Sequence, residues 1–173
     1  KRPGGRRAVI EVLRGRISKL VPTGGLLNLP SYGWKSIFTT NYDTLVEKSC
    51  ERQRLPLSVI ASNFDFSTDE IPGAGKLFKL HGTIDKDTCD GFQAPMVLTI
   101  GDYDRTSEFR EQLYDRLKAD MAGSHFVVIG HSMQDPDVTE VIQRAVRIRT
   151  MSGGTFRLTM LAFERDENRA ELM

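Results

Sequence analysis

The chain turns on nine residues, Ile37-Phe38-Thr39-Thr40-Asn41-Tyr42-Asp43-Thr44-Leu45. A short β-branched and aromatic run, with Ser36–Thr39 as its strand, stops abruptly at Asn-Tyr-Asp, and a helical pattern follows. An amide and a carboxylate therefore fall at the carboxyl end of a parallel strand, the edge at which open α/β sheets take their ligands. Asp43 has a second reading, as the cap of a helix of about ten residues. In that helix Leu45 and Val46 face inward, and Glu47, Lys48 and Glu51 face outward.

Upstream, residues 6–20 keep a helical rhythm, with Val9, Val12, Leu13, Ile17 and Leu20 on one face. Pro22-Thr23-Gly24-Gly25 closes that segment, and residues 26–35 are irregular. Downstream, Leu57–Ala61 predicts a strand, followed by an acidic, Phe-bearing loop through Glu70. Lys76–Leu80 alternates polar and apolar, which predicts a strand with one face partly exposed, and it runs directly into His81-Gly82. Residues 84–94 are loop, and Pro95–Ile100 predicts a further strand. Ser107–Met121 has helical periodicity through Phe109, Leu113, Leu117 and Met121.

Phe126-Val127-Val128-Ile129 predicts a strand buried on both faces. It ends in Gly130-His131-Ser132, and Asp135-Pro136-Asp137 opens a helix to about Arg147, with Pro136 where a missing N–H costs nothing. Gly153-Gly154 precedes a last strand, Phe156–Phe163. Strands alternating with helices give an α/β fold, a doubly wound and mostly parallel sheet with helices on both faces. No internal repeat interrupts it.

A length of 173 residues suits a single domain, 1–173, with enough chain to bury a sizeable core. The hydrophobic share of 39% and charged share of 27% are those of an ordinary soluble globular protein. With a net charge of +1, nothing global argues for nucleic acid or a membrane. The basic opening Lys1-Arg2-Pro3-Gly4-Gly5-Arg6-Arg7 is either a polyanion-binding arm or a frayed, solvated end, and the usual behaviour of termini favours a flexible 1–7. There is no apolar run of about 18 residues and no signal-peptide pattern. Cys50 and Cys89 are isolated and cannot make a four-thiolate zinc site, so no metal is expected and a reducing cytoplasm fits best. The chain opens without methionine and stops inside the helix-like Arg165–Met173, which predicts a fragment of a longer protein.

Three strand ends thus carry polar residues: Asn41 and Asp43, then His81, then Ser132 and Asp135. On a shared parallel edge they can converge on a polar ligand. Each also has a bland reading. Asn41 and Asp43 serve equally as turn and cap residues, His81 before Gly82 as a satisfied loop histidine, and Gly130–Asp137 as a capped strand–loop–helix junction.

Taken together, Thr39-Thr40-Asn41-Tyr42-Asp43, Lys79-Leu80-His81-Gly82 and Ile129-Gly130-His131-Ser132-Met133-Gln134-Asp135-Pro136-Asp137 resemble three ordered signatures of the SIR2-like family. These are sirtuin-related, NAD-consuming domains common in bacterial anti-phage defence. The resemblance spans about residues 34–163 and implies a Rossmann-like sheet. It implies that Asn41 positions water near the ribose and that His81 acts as general base at the ribose hydroxyls or water. An imidazole suits that task because its ordinary pKa lies near neutral pH. Asp43, with Thr40 and Tyr42 beside it, is implied at the nicotinamide end. Gly130 and Ser132 are implied at the ribose or pyrophosphate. Asp135 either touches the adenosine side or caps a helix, with the cap preferred. His131 is taken as non-catalytic, and His125, before a buried strand, as structural.

Two departures bear on the reaction. Sirtuin deacylases carry a four-cysteine zinc ribbon after the histidine motif. Here only Cys89 falls in that region, so no zinc ribbon is expected. This favours hydrolysis of NAD to nicotinamide and ADP-ribose, or cyclisation, over deacylation. The family's Gly-Ala-Gly phosphate loop is also missing, since Gly73-Ala74-Gly75-Lys76 precedes a strand and is read as a turn. The phosphate loop is expected upstream of Lys1. The expected partners are NAD or ADP-ribose, with self-assembly or a sensor domain regulating a longer parent. Nucleic acid and membrane are not expected as direct partners. The competing readings are a non-catalytic module that senses ADP-ribose or NAD, an NAD-dependent protein deacylase, and a generic α/β interaction domain.

Overall fold

Every described strand lies in a parallel pairing in the computed structural model, which describes residues 5–66, 71–87, 95–153 and 157–161. The chain divides into two units, Lys1–Asp115 and Arg116–Met173, each with its own sheet. The fold is mixed α/β, as the alternation of strand and helix patterns predicts.

In the first unit, β1 (Ile37–Thr39), β2 (Leu57–Ile60) and β3 (Gly75–Lys79) form a sheet in the order β1-β3-β2. β3 is central, and Leu77, Phe78 and Lys79 are fully buried. Phe78 stacks on Phe38 with ring centroids 4.8 Å apart, and Phe66 of the 3₁₀ turn Asn63–Phe66 tilts against it at 6.1 Å. Gly73 and Ala74 form the turn into β3: Gly73 has φ +78°, and the Ala74 N–H donates to the Ile71 carbonyl at 3.1 Å.

Helices α1 (Gly5–Ile17), α2 (Gly25–Asn28) and α3 (Leu45–Arg52) precede or follow β1. α2 and a 3₁₀ turn at Leu29–Tyr32 give regular structure to a segment expected to be irregular. α1 buries only part of the predicted stripe, Leu13 and Ile17. Ile10, with Leu13 and Ile17, packs on Ile84, Met96, Tyr42 and Leu98, while Val9, Val12 and Leu20 are exposed. Arg6, Ile10, Leu13, Arg14 and Ile17 share one helical stripe. Both arginines find acceptors there, Arg6 on Asp87, Asp102 and the Met96 carbonyl, and Arg14 on the carbonyls of Ile84 and Asp87. Arg6 is therefore anchored rather than part of a frayed end, while Lys1–Gly4 lie outside the described residues.

Three further expectations change. Pro95–Leu98 is irregular and α4 (Ile100–Tyr103) starts where a strand was predicted. There the Asp102 carboxylate takes the N–H groups of Leu98 and Thr99, each at 2.8 Å, which directs the chain into a helix. Glu47 does not face outward but pairs with Lys79, and the exposure expected on one face of β3 is confined to its start, Gly75 and Lys76. α5 (Thr106–Gly123) follows its predicted period, with Phe109, Leu113, Leu117 and Met121 all buried.

In the second unit, β4 (Phe126–Ile129) pairs in parallel with β5 (Leu158–Leu161), and α6 (Pro136–Met151) buries Val138, Val141 and Ile142. β4 is not buried on both faces. Val128 is buried, but Ile129 is 55% exposed. A sheet of two strands leaves both at an edge, and an apolar run alone does not say how many faces are covered. Phe156 and the last residues of the predicted strand, together with Arg165–Met173 and Cys89, lie outside the described residues. Among the described residues no helix is long and apolar enough to cross a membrane, and no group of three His, Cys, Asp or Glu residues could hold a metal ion.

Candidate active site

The register of β1 on β3 builds the site. Ile37, Phe38 and Thr39 pair with Leu77, Phe78 and Lys79, so Thr39 and Lys79 are the last rung of a parallel ladder. Both strands leave the sheet at the same edge, and Asn41 and His81 each stand two residues past that rung. The Leu80 N–H donates to the Thr39 carbonyl at 2.9 Å and carries the contact beyond the ladder. The Thr39 hydroxyl accepts the Asn41 N–H at 3.1 Å, and Asn41 itself is exposed. Thr40 is half-buried between them.

Tyr42 turns the other way. Its ring joins the Ile10, Ile84 and Met96 cluster, its carbonyl accepts the Ile84 N–H at 3.0 Å, and its hydroxyl donates to the Val97 carbonyl. The Val97 N–H in turn donates to the His81 carbonyl at 3.0 Å. Tyr42, His81 and the Pro95–Leu98 segment are thus one hydrogen-bonded group. The His81 imidazole is buried beside two rings: Tyr42 at 6.4 Å and Tyr103, edge-on, at 5.6 Å and 85°. Tyr103 was not foreseen, because a tyrosine beyond a loop carries no signal of where its ring will rest.

Gly82 follows with φ +83°, and a Cβ there would stand 2.7 Å from Arg110 Nη2 and 3.3 Å from Met96 Cα. Arg110 is almost wholly buried and donates from Nη2 to the Pro95 carbonyl at 2.7 Å. Burial pulls its guanidinium down to about 10, with Tyr114 and Asp87 acting the other way. Asp87, also buried, accepts Arg6 at 2.7 Å and the Met96 N–H at 2.8 Å. Burial opposes the charge on Asp102. The N–H groups of Leu98 and Thr99, the Thr99 hydroxyl and nearby Arg6 outweigh that, and hold its carboxyl below the usual range.

Asp43 is not itself the cap of α3, whose cap position is Thr44 with no side-chain cap bond; it stands one residue earlier, where its Oδ1 accepts the N–H of Leu45, the first helical residue, at 3.0 Å. Its carbonyl accepts the ammonium of Lys79, which also meets Glu47 Oε1 at 2.8 Å. Lys79 escaped the sequence reading although it stands in the quoted Lys79-Leu80-His81-Gly82. A lysine two residues before the histidine, in a strand the topology makes central, was the available signal.

The first unit therefore gathers Thr40, Asn41, Tyr42 and Asp43 with His81. Gly130, Ser132 and Asp135 belong to the second unit. There Gly130, at φ +63°, donates its N–H to the Leu161 carbonyl at 3.0 Å, and Ser132 is exposed. The Nδ1 of His131 accepts the Met133 N–H at 3.0 Å. Asp135 accepts the Val138 N–H at 2.8 Å and caps α6, with Pro136 at the first helical position. His125, exposed, meets the Thr159 hydroxyl of β5 at 3.0 Å. Cys50 is a buried free thiol, pushed up by burial and by Glu47.

A family model described as a SIR2-like domain matches residues 35–172. The protein named NAD(+) hydrolase ThsA from Cytobacillus dafuensis is 29% identical over 116 residues, which is 67% of this chain and 22% of that protein. Its namesake from Bacillus cereus (strain MSX-D12) is 25% identical over 132 residues, 76% of this chain and 24% of its own length. A third, from Enterococcus faecium, is 28% identical over 116 residues, covering 66% and 23%. The chain spans less than a quarter of the length of these curated relatives.

Proposed function

The chain belongs to the SIR2-like domain family, and on that premise we propose that it cleaves NAD at the nicotinamide–ribose bond, giving nicotinamide and ADP-ribose or a cyclic product. The observation that carries this reading is the matched position of Asn41 and His81, each two residues past the last paired rung of β1 and β3. Three relatives named as NAD(+) hydrolases support it.

Breaking the C1′–N bond leaves a cationic, oxocarbenium-like sugar, and nicotinamide departs with the bonding electrons. Asn41, exposed at the edge, orients the water that attacks C1′. His81, held between Tyr42 and Tyr103, accepts the proton that the water gives up. Asp43 and Thr40 face the nicotinamide end, while Tyr42 serves mainly through its hydroxyl on Val97. In the second unit Gly130 and Ser132 approach a ribose or pyrophosphate, and Asp135 serves as the cap alone. The setting proposed is the bacterial cytoplasm, as an effector of anti-phage defence controlled by self-assembly or by a sensor partner.

The test is nicotinamide release from NAD by the protein as its gene encodes it. Asn41→Ala and His81→Ala should each lower that release by about 10²–10⁴-fold, the range for loss of a positioned acid–base or orienting group. Release at the wild-type rate in both variants would sink the assignment. Saturable NAD binding with no release would point to sensing instead.

A further inference from the structure

We propose that Lys79 is a positioning residue that sets the spacing between Asn41 and His81; this rests on the reading of those two as the reacting pair. Lys79 is fully buried on the last rung of the central strand, and its ammonium touches two groups, Glu47 Oε1 at 2.8 Å and the Asp43 carbonyl. A buried ion pair is a poor device for stability, because apolar side chains of similar volume do as well or better once desolvation is counted. What an ammonium supplies that a methionine cannot is direction, through three donors on a flexible stem. One of them is spent on the loop between β1 and α3.

That loop is tied at successive residues. The Asn41 N–H goes to the Thr39 hydroxyl, the Tyr42 carbonyl to Ile84 and the Asp43 carbonyl to Lys79. The last tie reaches β3 itself, two residues before His81. Glu47, in the first turn of α3, meets the same ammonium at 2.8 Å and so restrains it beside the loop. Lys79 thus fastens the segment that presents the amide to the strand that presents the imidazole.

The variant to make is Lys79→Met with Glu47→Gln, which leaves no buried unpaired charge and so keeps the fold. Two measurements are read on the protein as its gene encodes it. Hydrogen–deuterium exchange should quicken at the amides of residues 41–45. The kcat for nicotinamide release should fall about ten- to a hundredfold with KM held within about threefold, the signature of a sub-ångström to ångström misplacement. Lys86→Met, which breaks the 2.8 Å pair with Asp65, is the control: it should lower Tm and leave kcat unchanged. Wild-type exchange at 41–45, or faster exchange with an unchanged kcat, overturns the proposal. If the wild-type protein itself releases no nicotinamide, the proposed function fails, and the exchange measurement alone then decides whether Lys79 fixes the loop.

Discussion

At Gly82 a single added methyl group meets two obstacles: the backbone lies at φ +83°, and the Arg110 guanidinium stands 2.7 Å from where Cβ would be. Gly82→Ala should destabilise by about 1–3 kcal/mol from the backbone alone, with more from the contact, read as a lower urea midpoint. Asp102 gives a prediction in pH. Its folded pKa is depressed, so its stabilising contribution is complete above the unfolded value of about 4 and is lost as pH falls through the folded value. Asp102→Asn should flatten that acid limb of Tm while lowering Tm at neutral pH. At this scale the sequence was legible where the chemistry is local. Asp135 bonds the N–H three residues on, and a cap can be read from neighbours; Asp43 bonds the N–H two residues on, one position before the cap residue Thr44. Arg110 could not be read and Lys79 only by its place before His81, since their burial depends on Glu47 and on the Pro95 carbonyl, brought in by the fold.

Elements show the same division. The period of α5 predicted its buried face correctly because Phe109, Leu113, Leu117 and Met121 leave no rival stripe. α1 offers two overlapping apolar stripes; the sequence reading placed Leu13 and Ile17 correctly but took Val9, Val12 and Leu20 in place of Ile10. The choice between them is made by Arg6 and Arg14, whose acceptors lie from 70 to 96 residues away. Its interior glycine is improvable. Gly15 lies inside α1 with nothing within 4 Å of an added Cβ, so Gly15→Ala should raise stability by about 0.5–1 kcal/mol, measured by denaturant unfolding. At α6 the cap is the sensitive point, and Asp135→Ala should cost about 1 kcal/mol by the same measurement. β4 was misjudged because an apolar tetrapeptide has no alternation from which to count covered faces.

Across the whole molecule, protection from exchange should be graded rather than uniform. Amides of β3, with Leu77, Phe78, Lys79 and Leu80 almost wholly buried, should exchange slowest, and those of β5, where Met160 and Leu161 are exposed, faster. Native-state exchange would measure both in one experiment, and equal rates would contradict the grading. The α/β class and the shared edge that carries Asn41 and His81 were legible from strand ends alone, because parallel strands bring their carboxyl ends to one edge. The burial of the first helix and the wall at Pro95–Leu98 were not, because long-range bonds to carbonyls leave no mark in local composition. One consequence of the β3 terminus concerns how its gene can change. Lys79, Leu80 and His81 address, in turn, the Asp43 carbonyl, the Thr39 carbonyl and the Tyr103 ring. Such a tripeptide behaves like a reading frame: one residue inserted between Phe78 and Gly82 delivers every group to its neighbour's address at once. A library of single-residue insertions should therefore yield survivors at the Gly73 turn and almost none across 78–82.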